Sequence, residues 1–375
     1  MTRRAGKVVI ISTHDYRTPW RANIHAIAQA LAALDYDVTF ISVCYSLLSR
    51  MKADSRHFLR DRANKPENHD GIQCYLWSTL VHPFNPKIPW LKPILLPIYF
   101  LYSKIPNDFI DTTIRTASHI VFESGTGVML VPRARRLNQS AKIIYLASDI
   151  LRTLNAHPIV QTTLERCSDI IDCFCLTSGR MATSFSWSKD RVFVVPHGIN
   201  PSDFADMRPS PYSAKYNAVS VGSMAFDSEF FIQTAPQFPN VTFHVIGCGT
   251  KFRAPDNVKI YGEMRFKDTV PFIKHATFGI APYRPVPEVD YISETSMKLM
   301  QYEYLGIPAV CPTFAAGGRA ARFGYTPGDP QSIGTAVNAA IAASGQVGRS
   351  TFLTWDKVVR RLLNPELFAD TRNIA

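Results

Sequence analysis

The sequence lacks a CxxC pair, a GxSxG turn, a low-complexity tract and any apolar run long enough to cross a bilayer. Its longest uncharged apolar stretch, "PILLPIYFLY" at 93–102, is about half of the roughly 20 residues that a spanning helix needs, so no transmembrane segment is expected. The amino terminus "MTRRAGKVVIIST" runs from a basic tip into a strand-like segment and meets His14 and Asp15 too soon for the apolar region of a secretory signal. Seven cysteines are scattered, and Cys173 and Cys175 alternate along an apolar run as core strand residues do. Reduced, buried thiols and a cytosolic protein are the expectation. The histidines show no metal spacing, so with GxSxG also absent neither a zinc site nor a nucleophile-elbow hydrolase finds support.

Acidic residues are also scarce beside basic ones, 30 against 41, for a formal charge of +11. The imbalance is uneven: residues 1–190 hold 23 Lys/Arg against 15 Asp/Glu, and the remainder 18 against 15. An anionic partner of the first half follows, whether nucleic acid, an acidic membrane face or a phosphorylated substrate. The basic run Arg50, Lys52, Arg56, Arg60 and Arg62 comes with no nucleic-acid-binding motif. Acidic lipid or a diphosphate is therefore the better match, and no nucleic acid is expected.

What the chain does have is alternation. Apolar, β-branched runs such as "KVVIIST" from 7, "DVTFISV" from 37, "HIVFES" from 119, "KIIYLAS" from 142 and "DCFCLTS" from 172 are each followed by turn residues and a longer helical pattern. That predicts an α/β protein with a parallel sheet covered on both faces. "HGINPSDFADMRPSPYSAKY" breaks the pattern as a linker would, and a second series restarts with "NAVSVGS" from 217 and "VTFHVIG" from 241. Two doubly wound domains are predicted, residues 1–199 and 200–350. Residues 351–375 follow, where Val358, Val359, Leu362 and Leu363 mark an amphipathic helix expected to pack back on the first domain.

In open parallel sheets ligands bind beyond the carboxyl ends of the strands, which directs attention to the loops there. In "SMKLMQYEYLGIPAV" at 296–310, Ser296 is placed to cap a helix that stops at Gly306. A helix N-terminus beside Lys298 suits a diphosphate, since backbone N–H groups and an ammonium converge; an ordinary amphipathic helix with an exposed lysine fits the same residues. Asp149 closes "KIIYLASD", either as a base at a strand end or as the cap of a helix starting at Ile150, and the two roles are compatible. Asp35 and Asp37 have the DxD spacing of metal-dependent glycosyltransferases but precede a strand, so a helix-to-strand turn is expected and no metal site. "IGCGTKF" holds only two glycines of a dinucleotide fingerprint, so no nicotinamide cofactor is expected.

The segment from 296 resembles the nucleotide-sugar half of GT-B glycosyltransferases, with strand, Gly turn and a Lys-containing helix ending in Gly-x-Pro. More narrowly, "SxHDYRTPxRANIH" at 12–25, "VHPFN" at 81–85, "VFESG" at 121–125, "YLASD" at 145–149, "VGSMAFDSEFF" at 221–231, "IKHATFGIAPY" at 273–283 and "RFGYTPG" at 322–328 resemble the membrane-associated β-glucuronosyltransferases of xanthan-type exopolysaccharide assembly. The resemblance covers nearly the whole chain, in order. It implies two Rossmann-like domains facing across a cleft and inverting, metal-independent transfer of glucuronate from UDP-glucuronate. The acceptor it implies is a mannose-terminated oligosaccharide on a polyprenyl diphosphate, used at the cytoplasmic face of the bacterial inner membrane without a cofactor.

By the same resemblance Asp149 is the general base, and Met224, Glu263, Tyr283, Met297, Lys298 and Gln301 bind the donor. Met224 and Met297 are, as residue types, more often core than ligand contacts. His14 and Asp15, in the first strand-to-helix loop, are reserve candidates for an acceptor contact, and Arg17 or Arg21 for the sugar carboxylate. Where the family pattern has Arg-Arg this chain has Trp20-Arg21, and where it has Asp this chain has Asn200. These departures leave another UDP-hexose donor as an alternative; a UDP-sugar epimerase on the same fold and a non-enzymatic membrane scaffold are separate ones.

Between the third and fourth strand runs lies "VHPFNPKIPWLKPILLPIYFLYSK". Its interleaved aromatics and lysines, with Trp90, Lys92, Tyr99 and Phe100 foremost, suit a monotopic segment in an anionic interface. A proline-broken helix packed on the sheet is the alternative, and a lipid-linked acceptor favours the membrane.

Overall fold

A computed structural model of the chain describes residues 5–19, 21–47, 49, 54–86, 88, 90–154, 156–285 and 290–372, with only the backbone of Lys92 and Lys189. Trp20, Arg50, Lys52 and the Lys92 side chain, all named above, and Lys87 of the quoted apolar segment lie outside what it describes. Two compact units emerge: Met1–Pro196 with Trp355–Ala375, and His197–Thr354.

The first unit is built on eight strands: β1 (Gly6–Ser12), β2 (Tyr36–Ser46), β3 (Glu67–His69), β4 (Ile72–Thr79), β5 (His119–Glu123), β6 (Lys142–Ala147), β7 (Cys173–Leu176) and β8 (Val192–Val194). They lie in the order β3-β4-β2-β1-β5-β6-β7-β8, and every pairing is parallel except the β3–β4 hairpin at the edge. Val8–Ile11 and Ile143–Leu146 are buried throughout, as expected of strands covered on both faces. Order reverses between β1 and β5, so the carboxyl ends of these two strands, Ser12 and Glu123, form the switch point.

The helices of this unit are α1 (Asn23–Ala33), α2 (Leu91–Tyr102), α3 (Asp108–Arg115), α4 (Val131–Leu137) and α5 (Pro158–Arg166). The helix expected at Ile150 is not there. Residues 151–154 form turns closed by Thr153 N–H to Ile150 O and Leu154 N–H to Leu151 O, and the next helix waits for Pro158. Pro158, ideal at a first helical position, relocates the helix start.

The second unit has six strands: β9 (Tyr216–Val221), β10 (Val241–Ile246), β11 (Val258–Tyr261), β12 (Phe278–Ile280), β13 (Ala309–Pro312) and β14 (Arg322–Tyr325). All are parallel, in the order β11-β10-β9-β12-β13-β14, with the switch point between β9 and β12. Its helices are α6 (Glu229–Thr234), α7 (Phe266–Lys274), α8 (Ile292–Thr295), α9 (Met297–Leu305), α10 (Thr313–Ala316) and α11 (Pro330–Ala342). Much of the stretch expected to be a linker belongs to this unit: Ile199 and Phe204 bury themselves with Val270 and Met300, and Ile199 N–H bonds to Leu353 O at 2.8 Å. Two large apolar side chains give it a packing partner that its Pro/Ser/Asp composition conceals.

The tail then returns to the first unit. Helix α12 (Trp355–Leu363) packs against α1, burying Trp355, Val358, Val359, Leu362 and Leu363. Beyond it Glu366 pairs with Lys142 of β6 at 2.8 Å.

Candidate active site

At the second switch point, α9 starts and stops where its sequence dictates. Ser296 Oγ accepts from Leu299 N–H at 3.3 Å, and Gly306 closes the helix in the left-handed region at φ 70°. Gly279 of β12 lets the helix lie close to the sheet, because a Cβ there would run into the Tyr302 ring. Tyr302 lies over that gap and its hydroxyl donates to Val219 O of β9 at 3.0 Å. The N-terminus of α9 is thereby held beside the ends of β9 and β12, the position at which helix N-termini bind phosphate.

Lys298, in the first turn of α9, carries a buried ammonium that donates no hydrogen bond. It lies 5.2 Å from the centre of the Tyr283 ring, a cation–π distance. Burial pulls its pKa down to about 8. Beneath it Tyr283 is in the core, its hydroxyl 2.5 Å from Ser296 Oγ, so its ring supports the lysine and the cap, and its hydroxyl is already engaged. Half-buried Gln301 lies one helical turn beyond Lys298, and Met297 packs beside Phe204 and Met300.

Met224 is exposed on the turn after β9, where Gly222 and Ala225 have positive φ. That turn is stapled to the Tyr283 loop by an isolated bridge between Phe226 and Tyr283 and by Arg284 N–H to Ala225 O. Glu263 is exposed two residues past β11, with its backbone beside Gly247. The structure thus gathers Lys298, Tyr283, Met297 and Gln301 around one helix end, with Met224 on the adjoining turn and Glu263 following the edge strand β11.

In the first unit, Asp149 follows β6 and is half-buried; its N–H donates to Ser124 Oγ at 3.1 Å. Thr177 Oγ1, after β7, shares its proton between Ala147 O at 3.1 Å and Ser148 O at 3.3 Å. The first loop is tied as firmly. Asp15 accepts from Arg17 Nε and Nη2, each at 2.8 Å, while Arg17 Nη1 donates to Glu67 Oε2 of β3 at 2.6 Å. Burial alone would push the Asp15 carboxyl up, but the Arg17 guanidinium outweighs it and holds it below the usual value. Every donor group of Arg17 faces a carboxylate, which leaves Arg21 as the freer cation: it lies over the Tyr16 ring and, among the described residues, its Nη1 donates to Tyr16 O at 3.0 Å.

His25 anchors this loop from α1. Its Nδ1 accepts from Ala22 N–H, so Nε2 carries the proton and donates to Asp15 O at 2.9 Å. Burial lowers its pKa to about 4, which keeps the ring neutral. A cavity of about 330 Å³ opens at the ends of β1 and β2, lined by Thr13, His14, Asp15, Thr18, Asp54, Ser55 and Arg56. Arg56, expected on a basic surface run, is buried and spends its guanidinium on Thr13 O, Val43 O, Cys44 O and Asp54.

On the apolar segment, α2 exposes Ile94, Pro97, Ile98 and Leu101 in one stripe at helical spacing, continued by Trp90 before the helix and flanked by Phe100. Tyr99 is a correction to the expected membrane set. It is fully buried, with its hydroxyl on Phe84 O at 3.0 Å and its ring edge-on to His157 at 5.0 Å. It projects from the face opposite the stripe and fastens α2 to the unit. Among the described residues no helix is long and apolar enough to cross a membrane.

Comparison with known proteins decides the family. A curated relative from Xanthomonas campestris pv. campestris, UDP-glucuronate:glycolipid 2-beta-glucuronosyltransferase, is 43% identical over 369 residues, covering 97% of this chain and 91% of the relative. Residues 10–177 match the family described as "Glucuronosyltransferase GumK, N-terminal domain". The chain belongs to this glucuronosyltransferase family. Solved structures show the GT-B fold: sucrose-phosphate synthase of Thermosynechococcus elongatus (TM-score 0.60, 12% identity, 97% of this chain and 94% of that one) and Anabaena HepE in complex with UDP and glucose (TM-score 0.57, 14% identity, 96% and 99%).

In this glucuronosyltransferase family member, reading the sequence alone missed a buried polar cluster at the first switch point. Glu123, at the end of β5, accepts from Ser12 Oγ and, at 3.3 Å, from Ser148 Oγ. Ser12 Oγ accepts from His14 N–H at 2.9 Å, and Ser148 Oγ from Asn23 Nδ2 at 2.8 Å. An acid closing an otherwise apolar strand, just before Gly125 at φ 146°, was the available signal.

Proposed function

We propose that the protein transfers glucuronate from UDP-glucuronate to a mannose-terminated oligosaccharide on a polyprenyl diphosphate, with inversion at the anomeric carbon. The observation that carries this reading is the 43% identity, sustained over 97% of the chain, to a relative named as a UDP-glucuronate:glycolipid 2-beta-glucuronosyltransferase. The site supports it, with a helix N-terminus and an unpartnered ammonium for a diphosphate in one unit and a strand-end carboxylate in the other.

In the proposed reaction an acceptor hydroxyl attacks the anomeric carbon as the bond from that carbon to the UDP oxygen breaks. The Asp149 carboxylate takes the hydroxyl proton, and Lys298 with the α9 N-terminus stabilises the charge growing on UDP. Glu263 holds ribose hydroxyls, with Met224, Met297, Gln301 and Tyr283 shaping the donor site, and His14 and Asp15 at the 330 Å³ cavity meet the acceptor. Arg21 is the candidate for an anionic sugar group, since Arg17 is neutralised by Asp15 and Glu67. The scheme uses no metal and no cofactor beyond the donor.

Residues Trp90, Ile94, Ile98, Phe100 and Leu101 are assigned to an anionic membrane surface, where their apolar stripe has a favourable place. A peripheral enzyme on the cytoplasmic face of the inner membrane follows. The test is to offer UDP-glucuronate, UDP-glucose and UDP-galactose with a lipid-linked mannosyl acceptor. Transfer from UDP-glucuronate alone supports the reading, transfer from a neutral hexose donor replaces the donor assignment, and no transfer from any sinks it.

A further inference from the structure

The buried side chain of Glu123 sits where the chain reverses sheet order, is 3% exposed, and pairs with no cation among the described residues. Burying a polar group there is costly unless its hydrogen bonds are satisfied. Both of its partners are hydroxyls, and each hydroxyl is polarised in one direction. Ser12 Oγ gives its proton to Glu123 and accepts from His14 N–H of the first loop. Ser148 Oγ gives its proton to Glu123 and accepts from Asn23 Nδ2 at the start of α1. One carboxylate therefore fixes three segments at once: the loop after β1, the first turn of α1, and the residue immediately before Asp149.

Asp149 itself is held by the neighbour of Glu123, since its N–H donates to Ser124 Oγ. From the other side Thr177 Oγ1 shares its proton between Ala147 O at 3.1 Å and Ser148 O at 3.3 Å. The peptide joining Ser148 to Asp149 is thus clamped from β5 and from β7, and no helix follows to brace it, because only turns occupy 151–154. A base on a loop depends on such a clamp, as a misplacement of about 1 Å can cost on the order of 10²-fold in rate.

We propose that Glu123, acting through Ser148 and assisted by Ser124, is a positioning residue for the base, holding Asp149 in the geometry that proton transfer needs. The inference rests on Asp149 being the base. Glu123 touches neither substrate nor the reacting atoms in this scheme; its role is to orient the hydroxyl that fixes the base-bearing loop.

The Glu123→Gln variant keeps volume but supplies an N–H₂ group where a hydroxyl proton now points, so one of the two serine bonds loses its polarity. The expected result with UDP-glucuronate and a lipid-linked acceptor is a kcat lower by about 10- to 100-fold, with the affinity for UDP itself within about twofold, since the residues assigned to the nucleotide lie in the other unit. Ser124→Ala, a smaller change, is expected to lower kcat in the same direction and serves if Glu123→Gln folds poorly. In an Asp149→Asn background, Glu123→Gln is expected to cost nothing further, because there is no base left to position. Wild-type kcat in both Glu123→Gln and Ser124→Ala, or full additivity with Asp149→Asn, overturns the positioning role. Full turnover by Asp149→Asn itself overturns the base assignment instead, so the two failures are distinguishable.

Discussion

The ammonium of Lys298 stands 5.2 Å above the ring of Tyr283, and the Tyr283 hydroxyl in turn meets the Oγ of Ser296 that caps the same helix. Lysine, tyrosine and cap form one stack, and its only unanswered group is the buried cation.

That cation sets a pH dependence. Burial lowers the Lys298 pKa to about 8, so ammonium is present below that value and lost above it, while an anion bound beside it would favour the charged form. UDP affinity, followed by calorimetry, is expected to fall as pH rises through about 8 in the wild type and to be weak and flat across the same window in Lys298→Met. For the ligand-free fold the sign is opposite: the unfolded chain holds the extra proton between about 8 and 10.5, so this group adds stability as pH rises through that window.

Asp149→Asn removes the proposed base without changing shape. Turnover is expected to fall by about 10²- to 10⁴-fold, with UDP binding unchanged by calorimetry. Retained turnover rules out Asp149 as the base.

The exposed stripe on α2 and the buried Tyr99 separate binding from folding. Ile94→Glu with Leu101→Glu is expected to abolish co-sedimentation with anionic vesicles and leave the melting temperature near wild type, because both side chains are more than half exposed. Tyr99→Ala, in contrast, is expected to destabilise the first unit by about 3–5 kcal/mol in denaturant titration, the usual cost of emptying a buried aromatic position.

Gly279→Ala tests how α9 is seated. A methyl group there meets the Tyr302 ring, so the helix must move off β12. Weaker UDP binding and a loss of about 1–3 kcal/mol of stability are expected, both measurable on the same preparation.

Local signals carried much of the fold in the sequence itself. Ser296 and Gly306 marked the two ends of α9 because a cap and a left-handed stop are chemistry within one turn, and buried strands such as β1 and β6 announced themselves by β-branched runs. What escaped depends on partners far along the chain. Tyr99 reads as an interfacial aromatic until Phe84 and His157 enclose it, and Arg17 reads as a free cation until Glu67, fifty residues on, takes its last nitrogen. Glu123 was visible only as part of a motif, since Ser12, 111 residues before it, supplies its shortest bond.

The most direct test of the central claim is the anomeric configuration of the product, read by proton NMR after incubation of the enzyme with UDP-α-glucuronate and a lipid-linked mannosyl acceptor. The account expects a β-glucuronoside whose formation disappears in Asp149→Asn. An α-linked product, or a β-linked product formed equally well without the Asp149 carboxylate, would contradict it.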